Sequence, residues 1–436
     1  MTATFPTFNQ ALRVWARIGC LSFGGPAGQI ALMHREVVDE RRWVSDTRFL
    51  HALNFCTLLP GPEAMQLATY LGWLMHGVRG GVAAGLLFVL PGALVMLVLS
   101  LIYAQFGDVP VVAAVFLGLK CAVLVLVVEA LLRVAKRALH GPVAWATAAA
   151  AFLALAAFGL PFPVVVLAAA LLGLAMPDRF TIGLHGRAGA VVDSLLDRHL
   201  AANPGHIAGL TAAARRAGLV AIALWAWPVA LLVPVGGVYF DVAWFFSKMS
   251  VVTFGGAYAV LAYVAQEAVE HYRWLSAPEM LVGLGLAETT PGPLILVLQF
   301  VGFLAGFRQD GLWGGIAASA LTLWVTFLPC FAWIFLGAPH VERLHDSPRL
   351  KGALAAVTAA VVGVIANLAL WFALRVVFAR LAPGPLGFEV PVLASVQPLA
   401  LALSLLAAAC IFWWRMGLLR TLGIAAGAAV LASALL

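Results

Sequence analysis

Four short stretches interrupt otherwise apolar runs: SFGGPAG at 22–28, LPGPEA at 59–64, TFGGAYA at 253–259 and ETTPGPL at 288–294. Proline removes a backbone donor and clashes with the preceding turn, and glycine loosens what remains. In the middle of a bilayer such a break is costly unless the freed backbone lines a binding cavity. Pro62 and Pro293 suit the first turn of a new half-helix, where the missing donor would have been unpaired anyway. The remaining N–H groups and the positive end of the helix dipole then form a site for an oxyanion, without a fixed positive charge. Gly24, Gly25, Gly255 and Gly256 permit positive φ and close backbone approach, so further N–H groups can converge on the same ligand. Ser22, Thr253, Thr289 and Thr290 can add hydroxyl donors. The competing reading is that these prolines and glycines only kink and pack helices, as they often do in membranes.

Ionisable residues within apolar runs sharpen the chemistry. Lys120 lies near the centre of its run, too deep to snorkel, and faces either a bound anion or a buried partner, Glu63 or Glu288. Glu63 directly follows Pro62, where its ionised carboxylate competes for the N–H groups that an anion would use. Protonation removes that competitor, which makes Glu63 a candidate for proton coupling; the plainer reading is a carboxylate resting on the helix dipole. Glu288 closes a preceding half-helix against the negative end of a dipole and is the second candidate. Lys248 sits nearer a run end and reads as a snorkelling anchor, and Glu129 pairs locally with Arg133 four residues on.

The elements that must position these residues are membrane helices. Hydrophobic residues make up 63% of 436 positions, charged residues 10%, and mean hydropathy is +1.01, the profile of an all-α polytopic membrane protein. At about 20 apolar residues per crossing, spans are expected near 11–31, 49–76, 81–104, 110–132, 143–159 and 162–176. After a polar gap at 177–216 come one connecting span near 217–236 and six more near 242–265, 278–305, 312–337, 352–375, 396–413 and 418–436, about thirteen in all. The gap carries Asp178, Arg179, Arg187, Asp193, Asp197 and Arg198 and reads as a solvated linker. The start, MTATFPTFNQ, lacks a basic n-region, so no cleaved leader is expected.

The second half repeats the first. An offset of 231 pairs FGG at 23–25 with FGG at 254–256, Glu36 with Glu267, Trp43 with Trp274, Ser45 with Ser276 and Pro-Gly-Pro at 60–62 with that at 291–293. Further on, an offset of 238 pairs Pro91 with Pro329. Domains are expected at 1–176 and 242–436, joined by a linker and connecting span over 177–241. Six spans plus one make the two repeats inverted. The loop QFGDVP has no Lys or Arg, whereas its counterpart has Arg343, Arg349 and Lys351. Likewise, the turn at 159–161 has none where its counterpart has Arg415 and Arg420. Both pairs obey the positive-inside rule with the amino terminus and linker cytoplasmic; Arg133, Lys136 and Arg137 against Arg375 and Arg380 run the other way.

Other function classes find little support. The net charge of +7 comes from basic residues standing singly beside spans, not from a nucleic-acid face. Cys20, Cys56, Cys121, Cys330 and Cys410 show no CxxC spacing and read as buried small hydrophobes. Ten histidines form no HExxH motif, and neither a GxSxG nor a P-loop occurs, which argues against an enzyme or a nucleotide-driven pump. No metal, cofactor or catalytic residue is expected. An anion channel remains as an alternative to a carrier.

The blocks FGGPAGQIALMHREVV, RRWVS, LLPGPEAMQLATYLGW, VVTFGGAYAVLAYVAQEAV and AETTPGPLILVLQFVGF resemble the signature blocks of the chromate ion transporter family in its long two-domain bacterial form. The resemblance covers nearly all of the chain except the linker. It implies an inner-membrane secondary carrier that exports chromate and confers chromate resistance, with sulfate as competitor or alternative substrate. The motif positions it marks are Phe23, Gly24, Gly25, Pro26, Pro60, Gly61, Pro62, Phe254, Gly255, Gly256, Pro291, Gly292 and Pro293, with Ala257 standing where the first half has Pro26. Export fits the physics, because a dianion leaving a negative interior gains about 4.6 kcal/mol per 100 mV, twice the single-charge value. The lipid bilayer is the expected surrounding partner, nucleic acid is not a partner, and a homodimer is left open.

Overall fold

The computed structural model describes residues 5–23, 25–180, 194–254, 257–340, 348–384 and 389–435. Gly24, Gly255, Gly256, Arg343 and the linker positions Arg187 and Asp193 lie outside the described residues. Seventeen helices are used below: α1 (Phe8–Leu21), α2 (Gly25–His34), α3 (Asp46–Thr57), α4 (Glu63–Phe106), α5 (Pro110–Ala138), α6 (Pro142–Ala156), α7 (Phe162–Ala175), α8 (Pro177–Phe180), α9 (Leu195–Ala202), α10 (His206–Leu232), α11 (Gly237–Val252), α12 (Ala257–Gln266), α13 (Ala277–Thr289), α14 (Val297–Gly337), α15 (Pro348–Val377), α16 (Pro398–Ala408) and α17 (Leu418–Leu435). A short antiparallel ribbon, Leu381–Pro383 with Glu389–Pro391, follows α15.

Among the described residues six helices are long and apolar enough to cross a membrane: Glu63–Phe106, Pro110–Ala138, His206–Leu232, Leu294–Gly337, Pro348–Val377 and Leu418–Leu435. Shorter apolar helices occupy Pro142–Ala156, Phe162–Ala175 and Pro398–Trp413. The four expected spans that contain the interruptions are not continuous. The run 11–31 divides into α1 and α2, 49–76 into α3 and the start of α4, 242–265 into α11 and α12, and 278–305 into α13 and the start of α14. At three of them the cause is local: Gly25, Gly61 and Gly292 lie in the left-handed region beside prolines without donors, and neither continues a helix. A further correction concerns Cys20, which is exposed, whereas Cys56, Cys121, Cys330 and Cys410 are buried as expected.

The chain forms two compact units, each drawing segments from both halves: Met1–Val98 with His185–Gly256 and Thr290–Asp346, and Leu99–Leu184 with Ala257–Thr289 and Ser347–Leu436. In the first unit α4 and α14 are each folded back on themselves. The reversals are His76 (φ −135°, ψ 24°) with Gly77 (φ 63°, ψ −155°), and Asp310 (φ −130°, ψ 22°) with Gly311 (φ 66°, ψ −150°). Beside each turn two glycines let the arms touch: a Cβ on Gly72 would stand 2.4 Å from the Gly80 carbonyl oxygen, and one on Gly306 2.3 Å from that of Gly314. Such contact between small residues is how helices approach closely without a hydrophobic driving force between them.

The same unit holds the entry to α3. After α2 a π-turn (Arg35–Glu40) ends at Arg42, which takes φ 52° so that the Trp43 N–H reaches the Val37 carbonyl at 2.8 Å. This is a Schellman-type closure with arginine where glycine is usual. In the second unit Glu267–His271, Arg273 (φ 55°) and the Trp274 to Ala268 bond at 2.8 Å repeat it. Glu36, fully buried, is held by Arg17 at 3.3 Å and Arg41 at 2.5 Å. Linker helix α9 docks on this entry: Leu195 and Leu196 N–H groups donate to the carbonyls of Arg42 and Trp43, and Arg48 Nε donates to Asp197 Oδ1 at 2.7 Å.

In the second unit α15 packs along α5, α6 and α7, and α17 along α5, again on small residues. Cβ atoms on Gly118, Gly173 and Gly363 would stand 2.3, 2.3 and 2.1 Å from the carbonyls of Ala425, Gly352 and Ala148. Arg375 near the end of α15 pairs with Glu389 of the ribbon at 2.6 Å and stacks on Trp371 at 4.1 Å.

Two predictions follow from this packing. Gly72→Leu should cost about 3 kcal/mol or more, because its side chain meets backbone, whereas Gly209→Ala in α10, with nothing within 4 Å of the new Cβ, should gain roughly 0.5–1 kcal/mol. Thermal unfolding of the detergent-solubilised variants compares them. Around Asp197 burial opposes ionisation, but hydrogen bonds from Ser194, Ser45 and Arg48 outweigh it and hold the carboxyl below its usual range. Its stabilisation is therefore present above the usual carboxylate range and lost as pH falls through the lowered value. Asp197→Asn should lower the melting temperature by about 1–3 °C near neutrality and not in strong acid.

Candidate functional site

The interruptions assemble in the first unit through the ends of helices from opposite halves. α1 ends at Ser22 and α11 at Thr253, each in an inverse γ-turn (φ −78°, ψ 73° and φ −74°, ψ 88°). Phe23 N–H donates to the Leu21 carbonyl and Phe254 N–H to that of Val252, both at 3.0 Å. The turn leaves the Ser22 and Thr253 carbonyls off their helix axes. Each accepts from the central glycine of the other half: Gly292 N–H donates to Ser22 O at 2.8 Å and Gly61 N–H to Thr253 O at 2.9 Å.

Only glycine makes these loops easily. Gly61 has φ 122° and Gly292 φ 86°, and a Cβ on Gly61 would stand 2.9 Å from both Cys330 Sγ and Gln66 Nε2. Pro62 precedes α4 and its carbonyl accepts from Gln66 N–H at 3.1 Å; Pro293 precedes a 3-10 turn and its carbonyl accepts from Leu296 N–H at 2.9 Å. The second loop, from Thr290 to Pro293, is buried, whereas Pro60, Pro62 and Glu63 of the first are half-buried.

Three glutamines line this crossing, and the motif reading passed over all of them. Gln29 Nε2 donates to the Gly292 carbonyl at 2.5 Å, Gln66 Nε2 to that of Pro60 at 2.8 Å and Gln299 Nε2 to that of Ala93 at 2.9 Å. All three are buried. The signal that could have found them is a lone amide in an apolar helix, which is costly in lipid unless it bonds within the protein.

The other expected residues have specific positions. The Ser22 and Thr253 hydroxyls donate one turn back, to Ile18 O at 2.6 Å and Met249 O at 2.5 Å, and Thr289 Oγ1 donates to Leu286 O at 2.8 Å. These three therefore cap their own helices. Gly25 (φ 71°) opens α2 with Pro26 in its first turn, and Phe23 is half-buried between α1 and α2. Lys120 and Glu288 belong to the second unit. Lys120 lies mid-way along α5 and is half-buried. Glu288, buried at the end of α13, accepts from Tyr258 Oη at 2.5 Å. Glu129 pairs with Arg133 at 2.5 Å, as its spacing suggested, and Lys248 lies 5.7 Å from the Phe245 ring. Among the described residues no group of three or more His, Cys, Asp or Glu could hold a metal ion. What the crossing brings together is the helix start at α4, the glycine loops and the buried amides.

Comparison with known proteins gives this arrangement a family. The chain is 36% identical over 364 residues to the chromate transport protein of Pseudomonas aeruginosa, covering 82% of this chain and 79% of that protein. It is 28% identical over 375 residues to the chromate transport protein of Cupriavidus metallidurans, 86% and 84% covered. It is likewise 28% identical over 363 residues to the probable chromate transport protein of Synechococcus elongatus, 83% of each covered. No solved structure matches the chain. The chromate transporter family model matches residues 9–174 and 240–432, one block in each half. With paired signature loops tied across the two halves and both blocks matched, the chain belongs to the chromate transporter family and is a membrane transporter, not an enzyme.

Proposed function

We propose that this chain is a secondary carrier that exports chromate across the inner membrane and so confers chromate resistance. The observation that carries the reading is family membership over both halves, joined to the reciprocal ties Gly61 to Thr253 and Gly292 to Ser22. Relatives named chromate transport proteins support the substrate. A tetrahedral oxyanion suits helix-start N–H groups and neutral amides, with Ser22 to Pro26, Pro60 to Pro62, Thr253, Gly255, Gly256, Thr289 to Pro293 and Lys120 as the candidate binding set. Sulfate, with the same shape, is the expected competitor, and a general oxyanion carrier is the second reading.

We read the chain as about thirteen spans in two inverted six-helix repeats, 1–176 and 242–436, joined over 177–241, with amino terminus and linker cytoplasmic. Recurrence of the γ-turns, glycine loops, π-turns and hairpin reversals at nearly constant offset supports the repeat. The loop charges support inversion. Proton antiport is assigned to Glu63, whose carboxylate heads α4 where it competes with an anion for N–H groups, with Glu288 as the second proton site.

Uptake of chromate into everted membrane vesicles tests the carrier. Gly61→Ala and Lys120→Ala should each lower uptake at least about tenfold, some 1.4 kcal/mol, with the variants expressed at parental levels. Undiminished uptake in both sinks the assigned site, and excess sulfate should compete. Glu63→Gln should flatten the dependence of uptake on pH; a variant with the parental pH profile would remove Glu63 from the coupling.

A further inference from the structure

The buried amides around the crossed loops leave acceptors over. Gln66 Oε1 and Gln299 Oε1 are buried without a hydrogen-bond partner, while the Nε2 atoms of the same amides are spent on Pro60 O and Ala93 O. Those bonds fix which way each amide points, because a flipped amide would set two carbonyl oxygens face to face. A third oxygen, Thr326 Oγ1, is buried and unpartnered one turn before Cys330, whose Sγ flanks the Gly61 loop beside Gln66. A buried acceptor left unpaired is costly. A fully ionised oxyanion can accept from the Thr326 hydroxyl but cannot relieve the two amide oxygens, because all of its own oxygens are acceptors too.

We propose that the ion bound beside the Pro-Gly-Pro loops donates a hydrogen bond of its own: the transported species is the monoprotonated oxyanion, with its hydroxyl directed to Gln66 Oε1, Gln299 Oε1 or Thr326 Oγ1. This rests on the carrier reading above. The three unprotonated oxygens take the N–H donors at the start of α4 and the Thr326 hydroxyl when it turns to donate. Chromate accepts a proton near neutrality, whereas selenate and sulfate, of the same shape, stay fully ionised there. The carrier thus favours chromate over sulfate by a proton rather than by size, and sulfate competes only in excess. The titratable groups nearest the Gly61 loop in the first unit are Cys330 on α14, whose Sγ flanks the loop beside Gln66, and Glu63 two residues on at the head of α4, with Cys56 close to Glu63. Titration of any of them would act on both anions alike.

Equilibrium dialysis of the purified full chain in detergent against chromate and against selenate, at about pH 8 and about pH 6, tests the inference. Chromate affinity should rise at least about tenfold on acidification, in step with its protonated fraction, while selenate affinity stays flat. In Thr326→Val, which removes only a hydroxyl, and in Gln66→Leu, the chromate gain should shrink toward the selenate response. Equal pH responses of the two anions overturn the proposal in favour of a titrating protein group. A flat chromate response overturns it in favour of buried water on the free oxygens. Absence of binding for both anions would remove the carrier reading along with it.

Discussion

Two backbone hydrogen bonds, Gly61 N–H to Thr253 O and Gly292 N–H to Ser22 O, carry the constraint on which the first unit depends. Each joins a loop that cannot be helical to a helix end that has lost its next partner, and each joins one half of the chain to the other. In an apolar surrounding an unpaired peptide group costs several kcal/mol, so neither loop nor helix end is stable alone. The breaks would therefore be defects in either half taken singly and become structure only when both halves are present. That is why this unit interleaves Met1–Val98 with His185–Gly256 and Thr290–Asp346.

What repeats between the halves is backbone, and what differs is chemistry. The γ-turns, the arginines at positive φ and the hairpin reversals recur with nearly equal angles, and both glycine loops recur at positive φ. The ionisable side chains beside the loops do not. Glu63 has Leu294 as its counterpart, Glu288 has Thr57, and Tyr258, which holds Glu288, has Ala27. Both members of the Tyr258–Glu288 pair are absent together from the first half, the pattern expected when a pair acts as one device. Next to the loops Gly92 answers to Cys330, and Gln29 answers to Val260. A scaffold with local two-fold repetition thus carries a site that is chemically one-sided.

Much of this was legible in the residues themselves. Pro-Gly-Pro and Phe-Gly-Gly announce broken helices because their backbone chemistry forbids continuation, and the offset of 231 exposes the repeat. The reversals at His76–Gly77 and Asp310–Gly311 were legible only as short gaps between runs, since a single glycine tells little about whether two arms touch. Who accepts the Gly61 and Gly292 N–H groups was not legible at all. The Ser22 and Thr253 carbonyls are backbone atoms, and no side-chain signal marks a carbonyl turned off its axis. Ser22 and Thr253 themselves were noticed for their hydroxyls, which the structure turns inward to cap α1 and α11. Gln29, Gln66 and Gln299 were visible but isolated, and an amide reveals its role only once its partner carbonyl is placed.

The proposed monoprotonated cargo agrees with the same neutral surroundings. The energy of transferring an ion from water to a poorly polarisable site grows with the square of its charge, so a dianion costs about four times what a monoanion of equal size does. The crossing supplies amide and backbone dipoles rather than ionised donors, and its second loop is buried from Thr290 to Pro293. Such a site repays a monoanion far more readily than a dianion. Protonation of the oxyanion halves the electrical contribution to export, from about 4.6 to about 2.3 kcal/mol per 100 mV, but it removes three quarters of the desolvation cost. A carrier limited by entry into its site gains more from the second change than it loses by the first.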